Sequence, residues 1–194
     1  SAGVAWLLDL YGFKVYTLVG GYKAFRTKVL AEFKKPYSFN IIGGYTGSGK
    51  TEVLHKMSGC IVDLEAIAGH RGSAFGAIAG VVQPSQEMFE NRLALQLIQH
   101  TGQNIWLEDE SQRVGHVNIP HELWKQMRAS EVYFLEIPFE ERLQYIVTGY
   151  GKKDKEKLIN AIIRIQKRLG PLETKTAINH LLEDNISDCF AILL

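Results

Sequence analysis

The chain contains 194 residues, of which 46% are hydrophobic and 22% are charged, and its formal net charge is +1. This is the composition of an ordinary globular protein, and it excludes a mainly disordered chain. No run of about eighteen apolar residues predicts a transmembrane helix. Because the net charge is close to zero, any surface that binds nucleic acid must be a local one.

The first 35 residues contain short predicted elements. Apolar side chains at helical spacing predict a helix over 2–11, residues 14–19 predict a strand, and a second helix follows Gly20 and Gly21. These elements bury too little surface to offset their ordering entropy, so we expect residues 1–35 to be the remnant of another domain. The opening residues lack a basic n-region and do not resemble a signal peptide, which favours a cytoplasmic location and no membrane partner.

From residue 36 onward, apolar strands alternate with helices. The apolar runs that predict strands lie at 39–42, 61–64, 105–107 and 132–137. A helix is predicted from Ser85, a suitable N-cap, to about His100. Short apolar strands separated by helices indicate a parallel sheet with helices on both faces. We therefore predict an α/β domain over 36–150, followed by a helical C-terminal segment over 151–194.

A glycine-rich stretch follows the first strand of this domain. It reads G-Y-T-G-S-G-K-T over residues 44–51, which matches the phosphate-loop pattern G-x-x-x-x-G-K-[ST] between a strand and a helix. The glycines let backbone amides curl around phosphate oxygens, and Lys50 adds a full positive charge. Thr51 is the expected Mg²⁺ ligand. The predicted phosphate-binding residues are Gly44, Gly47, Ser48, Gly49, Lys50 and Thr51.

Acidic residues follow two of the predicted strands. An apolar run ends in Glu108, Asp109 and Glu110, and a carboxylate in that position holds the metal in many phosphate-loop enzymes. Asp109 is the first choice for this Mg²⁺ ligand and Glu108 the second, while a solvated acidic loop is the alternative. Asp63 and Glu65 end another strand and are expected to face the same rim, where an acceptor substrate would bind in a kinase.

Further motifs carry a resemblance to one family. They are D-L-E at 63–65, G-H-R-G-S-A-F-G at 69–76, P-S-Q-E-M-F-E-N-R-L at 84–93, E-D-E-S at 108–111, L-E-I-P at 135–138 and K-R-L-G at 167–170. In this order, and with the phosphate loop, the chain resembles the C-terminal half of bacterial tRNA 2-selenouridine synthases over residues 1–182. Residues 4–8 and 20–26 resemble the end of the rhodanese domain that precedes the phosphate-loop domain in that family.

The resemblance implies a tRNA-modifying transferase. It implies that selenium from selenophosphate replaces the sulfur of 2-thiouridine at the tRNA wobble position, through an S-geranyl intermediate made from geranyl diphosphate. The expected partners are tRNA and a source of selenophosphate, and Mg²⁺ is the expected cofactor, with ATP as an alternative occupant of the loop. The family's rhodanese cysteine has no counterpart here, because Cys60 and Cys189 are predicted to be reduced, buried thiols. Either the chain is a fragment, or a separate rhodanese subunit completes the enzyme.

The resemblance also singles out a polar loop between glycines. His70 and Arg71 lie in this loop and are expected to close on a phosphate or a base. The catalytic residues are then expected to be Lys50, His70, Arg71 and Asp109. The expected substrate rim comprises Asp63, Glu65, Ser73, Arg92, Glu108 and Arg113, the last as a candidate lid arginine.

Basic residues are concentrated in two places away from the loop. One is the segment 152–175, where basic residues outnumber acidic ones, and the other is the helix that precedes residue 36. The predicted contacts with the tRNA backbone are Lys23, Arg26, Arg164, Lys167 and Arg168. Basic helices are also commonly solvated faces, which is the alternative for both groups.

Two other functions are compatible with the same residues. A small-molecule kinase would also use the phosphate loop, the acidic pair at Asp63 and Glu65, and a lid arginine. A non-catalytic tRNA-binding module would use the basic segments without turnover.

Overall fold

The structure, a computed structural model, describes residues 2–71, 81–150 and 154–194. The helices are α1 (Ala2–Leu10), α2 (Gly21–Glu32), α3 (Lys50–Lys56), α4 (Leu64–Ala68), α5 (Gln86–Gln99), α6 (His121–Arg128), α7 (Phe139–Tyr150), α8 (Lys155–Arg164), α9 (Gln166–Leu169), α10 (Pro171–Leu182) and α11 (Ile186–Leu193). The strands are β1 (Ser38–Gly44), β2 (Cys60–Ile61), β3 (Asn104–Glu108), β4 (Arg113–Val114), β5 (Val117–Asn118) and β6 (Glu131–Leu135). None of the described helices is both long and apolar enough to cross a membrane.

A parallel sheet of four strands in the order β2-β3-β1-β6 forms the centre of the fold. The chain runs from β1 to β2 in one direction across the sheet, and from β2 to β3 and on to β6 in the other. Because such crossovers are right-handed, this reversal puts α3 on one face of the sheet and α5 and α6 on the other. The predicted α/β fold with a parallel sheet and helices on both faces is therefore confirmed.

The main core lies on the face of the sheet that α5 and α6 cover. Phe39 and Ile41 point into it from β1, and Phe89 and Leu93 from α5, as alternation along a strand and the spacing of four along a helix predict. Ser85 caps α5, because its hydroxyl oxygen accepts a hydrogen bond from the backbone N–H of Met88 at 3.2 Å.

The segment before residue 36 differs in part from the sequence prediction. Residues 13–18 form no strand, since they find no pairing partner among the described residues. Helix α1 has no buried residue, whereas Val29 and Phe33 at the end of α2 enter the main core. Helix α2 is therefore packed as part of the phosphate-loop domain. The assignment of residues 1–35 to a rhodanese domain stays a prediction.

The C-terminal helices build a second core. It is formed by Ile146, Leu158, Ile162, Ala177, Leu181, Cys189 and Phe190, which come from α7, α8, α10 and α11. The predicted helical C-terminal segment is thus confirmed, although its amphipathic helix is interrupted at Ile165 between α8 and α9.

Candidate functional site

The phosphate loop connects β1 to α3 at the carboxyl end of the sheet. Gly47 has a φ of +84°, and a Cβ atom there would lie 2.8 Å from the carbonyl oxygen of Arg142, so this position requires glycine. The Lys50 ammonium donates to the carbonyl oxygens of Gly44 at 3.0 Å and Tyr45 at 3.5 Å. The buried Ser48 hydroxyl has no partner among the described residues. The loop thus holds its cation in place and presents an unsatisfied hydroxyl.

A buried arginine supports the loop from α7. Arg142 is only 8% exposed, and its Nη1 donates to the carbonyl oxygen of Thr46 at 3.0 Å. Its guanidinium lies 5.1 Å from the ring centre of Tyr45 and 5.6 Å from that of Phe139, within the range of cation–π attraction. The sequence analysis did not assign Arg142 a role. Its position directly after L-E-I-P and an acidic pair on an otherwise amphipathic helix was the available signal.

A cavity of about 480 Å³ opens beside the loop. The sheet-side wall consists of the phosphate loop and the residues that follow β3, and Arg71 and Glu65 extend this wall. The helix-side wall consists of Tyr145 and Ile146 from α7 and Arg168 from α9. The cavity lies where the order of strands reverses, which is where open α/β sheets bind their ligands.

Three carboxylates meet in the sheet-side wall. Oxygen atoms of Glu65, Glu108 and Glu110 all lie within 4.8 Å of one another, and Glu108 and Glu110 are buried. Burial and the neighbouring charge of Glu65 raise the pKa of Glu108 to about 7. The same two causes raise the pKa of Glu110 above its ordinary value. Crowded, desolvated carboxylates of this kind are stabilised by a bound cation.

The residues fit a hard divalent cation such as Mg²⁺. Glu108 is 3% exposed and its Oε1 has no hydrogen-bond partner among the described residues, so the carboxylate has a free acceptor for a metal. The Thr51 hydroxyl lies 3.5 Å from Oε2 of Glu65 and also contributes a hydrogen bond to Glu108. Thr51 and Glu108 are therefore placed as the sequence analysis expected.

Asp109, the first choice for the metal ligand, is placed differently. It lines the cavity, but its carboxylate forms an ion pair with Arg128 and is 36% exposed. In an extended chain, residues two apart share a side, so Glu108 and Glu110 point together and Asp109 points away. Glu110 replaces it in the carboxylate cluster, and the spacing of two was the signal that the sequence analysis did not use.

The other rim residues are scattered. Asp63 caps α4 by accepting a hydrogen bond from the backbone N–H of Ala66 at 2.7 Å, and it pairs with His55 at 2.6 Å. Arg113 donates to the carbonyl oxygen of Gly115 at 3.0 Å in the hairpin β4–β5, and it does not line the cavity. Arg92 is exposed on α5 and also lies outside the cavity wall. Ser73 lies outside the described residues.

His70 and Arg71 follow α4. The backbone N–H of His70 donates to the carbonyl oxygen of Glu65 at 3.0 Å, which ends the helix. Arg71 lines the cavity and His70 does not. The structure therefore brings Arg71 together with Lys50 and leaves the role of His70 as a prediction.

The five predicted tRNA contacts fall into three environments. Lys23, Arg164 and Lys167 are exposed. Arg26 instead forms an ion pair with Glu90 and donates to Oδ1 of Asn91 at 2.6 Å, so it fastens α2 to α5 and is not available to RNA phosphates. Arg168 lines the cavity. Reading charge from the sequence could not separate these cases, because the partners lie on other helices.

Comparison with known proteins agrees with this site. Residues 37–189 match the family described as the tRNA 2-selenouridine synthase AAA domain. A tRNA 2-selenouridine synthase of Pseudomonas putida (strain W619) is 36% identical over 85% of this chain and 51% of its own length. That of Pseudomonas syringae pv. syringae (strain B728a) is 39% identical over 85% of this chain and 50% of its own. That of Cupriavidus pinatubonensis is 39% identical over 75% of this chain and 41% of its own.

The chain thus spans about half the length of the curated relatives that it matches. No solved structure matches it. The family match covers most of the chain, from the start of β1 to α11, and includes both walls of the cavity. The chain therefore belongs to the tRNA 2-selenouridine synthase AAA domain family.

Proposed function

We propose that this chain is the phosphate-binding part of a transferase that replaces sulfur by selenium in wobble 2-thiouridine of tRNA. In this proposal the reaction passes through an S-geranyl intermediate, and the cavity binds geranyl diphosphate and selenophosphate. The observation that carries the proposal is the cavity itself, in which Lys50 and Arg71 face a cluster of buried carboxylates. Such a cavity suits an anion accompanied by a divalent cation.

The alkylation step needs little covalent chemistry from the protein. The sulfur of 2-thiouridine attacks the first carbon of the geranyl chain, the carbon–oxygen bond to the diphosphate breaks, and the diphosphate leaves with the electron pair. The loop amides and Lys50 stabilise the charge that develops on the leaving group. Holding the sulfur near the prenyl carbon supplies the rest of the acceleration.

A Mg²⁺ ion would be held by Thr51 and by Glu108, Glu110 and Glu65. When bound, it would neutralise charge on the phosphate oxygens. The two carboxylates with raised pKa values explain why this end of the site needs a cation before it accepts a second anion.

The replacement of sulfur by selenium is a separate step. Neither thiol of the chain lies at the cavity: Cys60 donates to Oε1 of Gln103, and Cys189 is buried in the second core, where burial raises its pKa to about 11. We propose that selenophosphate uses the same phosphate loop and that a rhodanese cysteine comes from outside the residues of this chain.

Ligand binding tests the proposal directly. We expect calorimetric titration with Mg²⁺ to show tighter binding of geranyl diphosphate than of ATP. Lys50→Ala is expected to abolish diphosphate binding, since Lys50 contributes charge and little packing. Lys56→Ala, at an exposed position of the same helix, is the matched control and should bind as the parent chain does. Tighter binding of ATP, with acceptor-dependent release of ADP, would favour a kinase instead.

Product analysis tests the reaction. The chain is incubated with tRNA that contains 2-thiouridine, geranyl diphosphate and selenophosphate, and the nucleosides are then analysed by mass. We expect S-geranyl-2-thiouridine and no 2-selenouridine. Formation of 2-selenouridine would show that the chain needs no external cysteine, whereas tRNA binding without any product would favour a non-catalytic binding module.

A further inference from the structure

Arg168 occupies a position that its sequence neighbours do not share. It lies in α9, the single helical turn between α8 and α10, and its side chain lines the cavity with Lys50 and Arg71. Arg164 and Lys167, its basic neighbours, are exposed and do not line the cavity. The interruption of the helix at Ile165 is what turns Arg168 toward the phosphate loop.

The backbone of Arg168 is well anchored. Its N–H donates to the carbonyl oxygen of Ile165 at 2.8 Å, and the next residue, Leu169, packs against the second core. Gly170 follows with a φ of +102°, which ends α9 and lets Pro171 start α10. The position of the guanidinium therefore depends on how the C-terminal helices pack.

Arg168 also differs from the other charged side chains of the cavity in having no recorded partner. Asp109 pairs with Arg128, Glu52 accepts a hydrogen bond from Tyr145, and Lys50 is held by loop carbonyls. Within the described parts of the chain, the Arg168 side chain makes no hydrogen bond or ion pair. A planar guanidinium that faces a phosphate loop is suited to bind two phosphate oxygens at once.

We propose that Arg168 binds the diphosphate from the helix-side wall and so is a catalytic residue, not a contact for the tRNA backbone. This inference rests on the proposed function, since it assumes that the cavity takes a diphosphate. The C-terminal helices then serve two purposes: Arg168 grips the leaving group, while Arg164 and Lys167 remain on the outer surface for RNA phosphates.

Pyrophosphate binding by single variants of the full chain tests this assignment. Arg168→Ala is expected to weaken binding of inorganic pyrophosphate by about tenfold or more, because it removes hydrogen bonds to a charged group. Arg168→Lys is expected to recover only part of this loss, because an ammonium lacks the two-pronged geometry. Arg164→Ala and Lys167→Ala are the matched controls and should bind pyrophosphate as the parent chain does.

The salt dependence of tRNA binding separates the two roles. Arg164→Ala and Lys167→Ala are expected to reduce the slope of log K against log salt by about one unit for each lost phosphate contact. Arg168→Ala is expected to leave that slope unchanged. An Arg168→Ala variant that binds pyrophosphate normally, or that flattens the slope as Lys167→Ala does, would overturn the inference.

The proposed function fails in a different way. If the parent chain binds no pyrophosphate, or if Lys50→Ala binds as well as the parent, both the proposed function and the role of Arg168 are wrong. If Lys50→Ala loses binding and Arg168→Ala does not, only the role of Arg168 is wrong. Thermal unfolding of each variant checks that the exposed substitution has left the fold intact.

Discussion

The two walls of the cavity are built on different cores. The sheet-side wall is rigid because the register of β1 and β3 places Glu108 beside Ile42, next to the start of the loop, and the backbone N–H of Asp109 donates to Ile42 at 2.9 Å. The helix-side wall is carried by helices whose apolar side chains form the second core. Binding groups on the first wall are thus positioned by strand pairing, and those on the second by helix packing.

This difference has a consequence for the ligand. The sheet-side groups are buried and surround the loop, so they are in place before a ligand arrives. Arg168 is exposed and depends on the position of a single helical turn. We therefore expect substitutions in the two cores to affect binding to different degrees.

The largest effect is expected in the main core. Phe89 is fully buried on α5, so Phe89→Ala should lower the free energy of unfolding by about 3–5 kcal/mol. Both walls should be lost together if this destabilises the sheet. Leu95→Ala, on the same helix at a position 49% exposed, is the control and should change stability by less than about 0.5 kcal/mol. Urea unfolding measures both variants.

A core substitution among the C-terminal helices should separate the walls. Leu181 is fully buried and Leu182 is 59% exposed, so the two adjacent leucines form a matched pair. Leu181→Ala is expected to cost about 2–5 kcal/mol and to weaken pyrophosphate binding through Arg168 without abolishing it. Leu182→Ala should do neither. Complete loss of binding in Leu181→Ala would mean that the sheet-side wall also depends on the second core.

The buried arginine under the loop links the two walls. Arg142→Lys keeps the charge but loses the fork that binds the Thr46 carbonyl, so we expect a stability loss of about 1.5–3 kcal/mol and weaker pyrophosphate binding. Glu141→Gln, at the exposed neighbouring position, is the control. Unchanged pyrophosphate affinity in Arg142→Lys would show that the loop holds its shape without this support.

The smallest effect concerns pH in the absence of metal. The pKa of Glu108 is about 7 in the folded chain and 4.5 is its ordinary value, so between these pH values only the unfolded state has released the proton. The unfolding free energy of the parent chain in EDTA should therefore fall as pH rises from about 4.5 to about 7 and then stop falling.

Glu108→Gln removes this titration. Its stability relative to the parent chain is expected to be greater at pH 8 than at pH 5, as urea unfolding at the two pH values would measure. An equal difference at both values would mean that the carboxylate does not carry a raised pKa in the fold. Far-ultraviolet circular dichroism at each pH checks that the native state is the same.

Local patterns predicted most of what the sequence showed correctly. The phosphate loop is recognisable because its glycines, Lys50 and Thr51 are adjacent in the chain, and the backbone conformation that they need is local. The strands β1 and β3 and the capped helix α5 were predicted for the same reason, since periodicity of apolar residues reflects one buried face.

Errors arose where a side chain's partner is distant in sequence. Arg26 looked free until its ion pair with Glu90 was seen, and Asp109 looked like a metal ligand until Arg128 claimed it. The strand expected at 14–19 failed because a strand requires a pairing partner, which apolar alternation alone does not supply.

The sequence by itself determined the phosphate loop, the α/β class and the family, because these depend on neighbouring residues and on their order along the chain. Only the tertiary structure decided which charged residues share the cavity. Glu65, Glu110 and Arg168 meet the loop from three different elements, and each arrives there through strand register, helix packing or a helix interruption. Charge in a sequence has no direction until the backbone gives it one, so the set of residues that can touch one ligand becomes visible only in three dimensions.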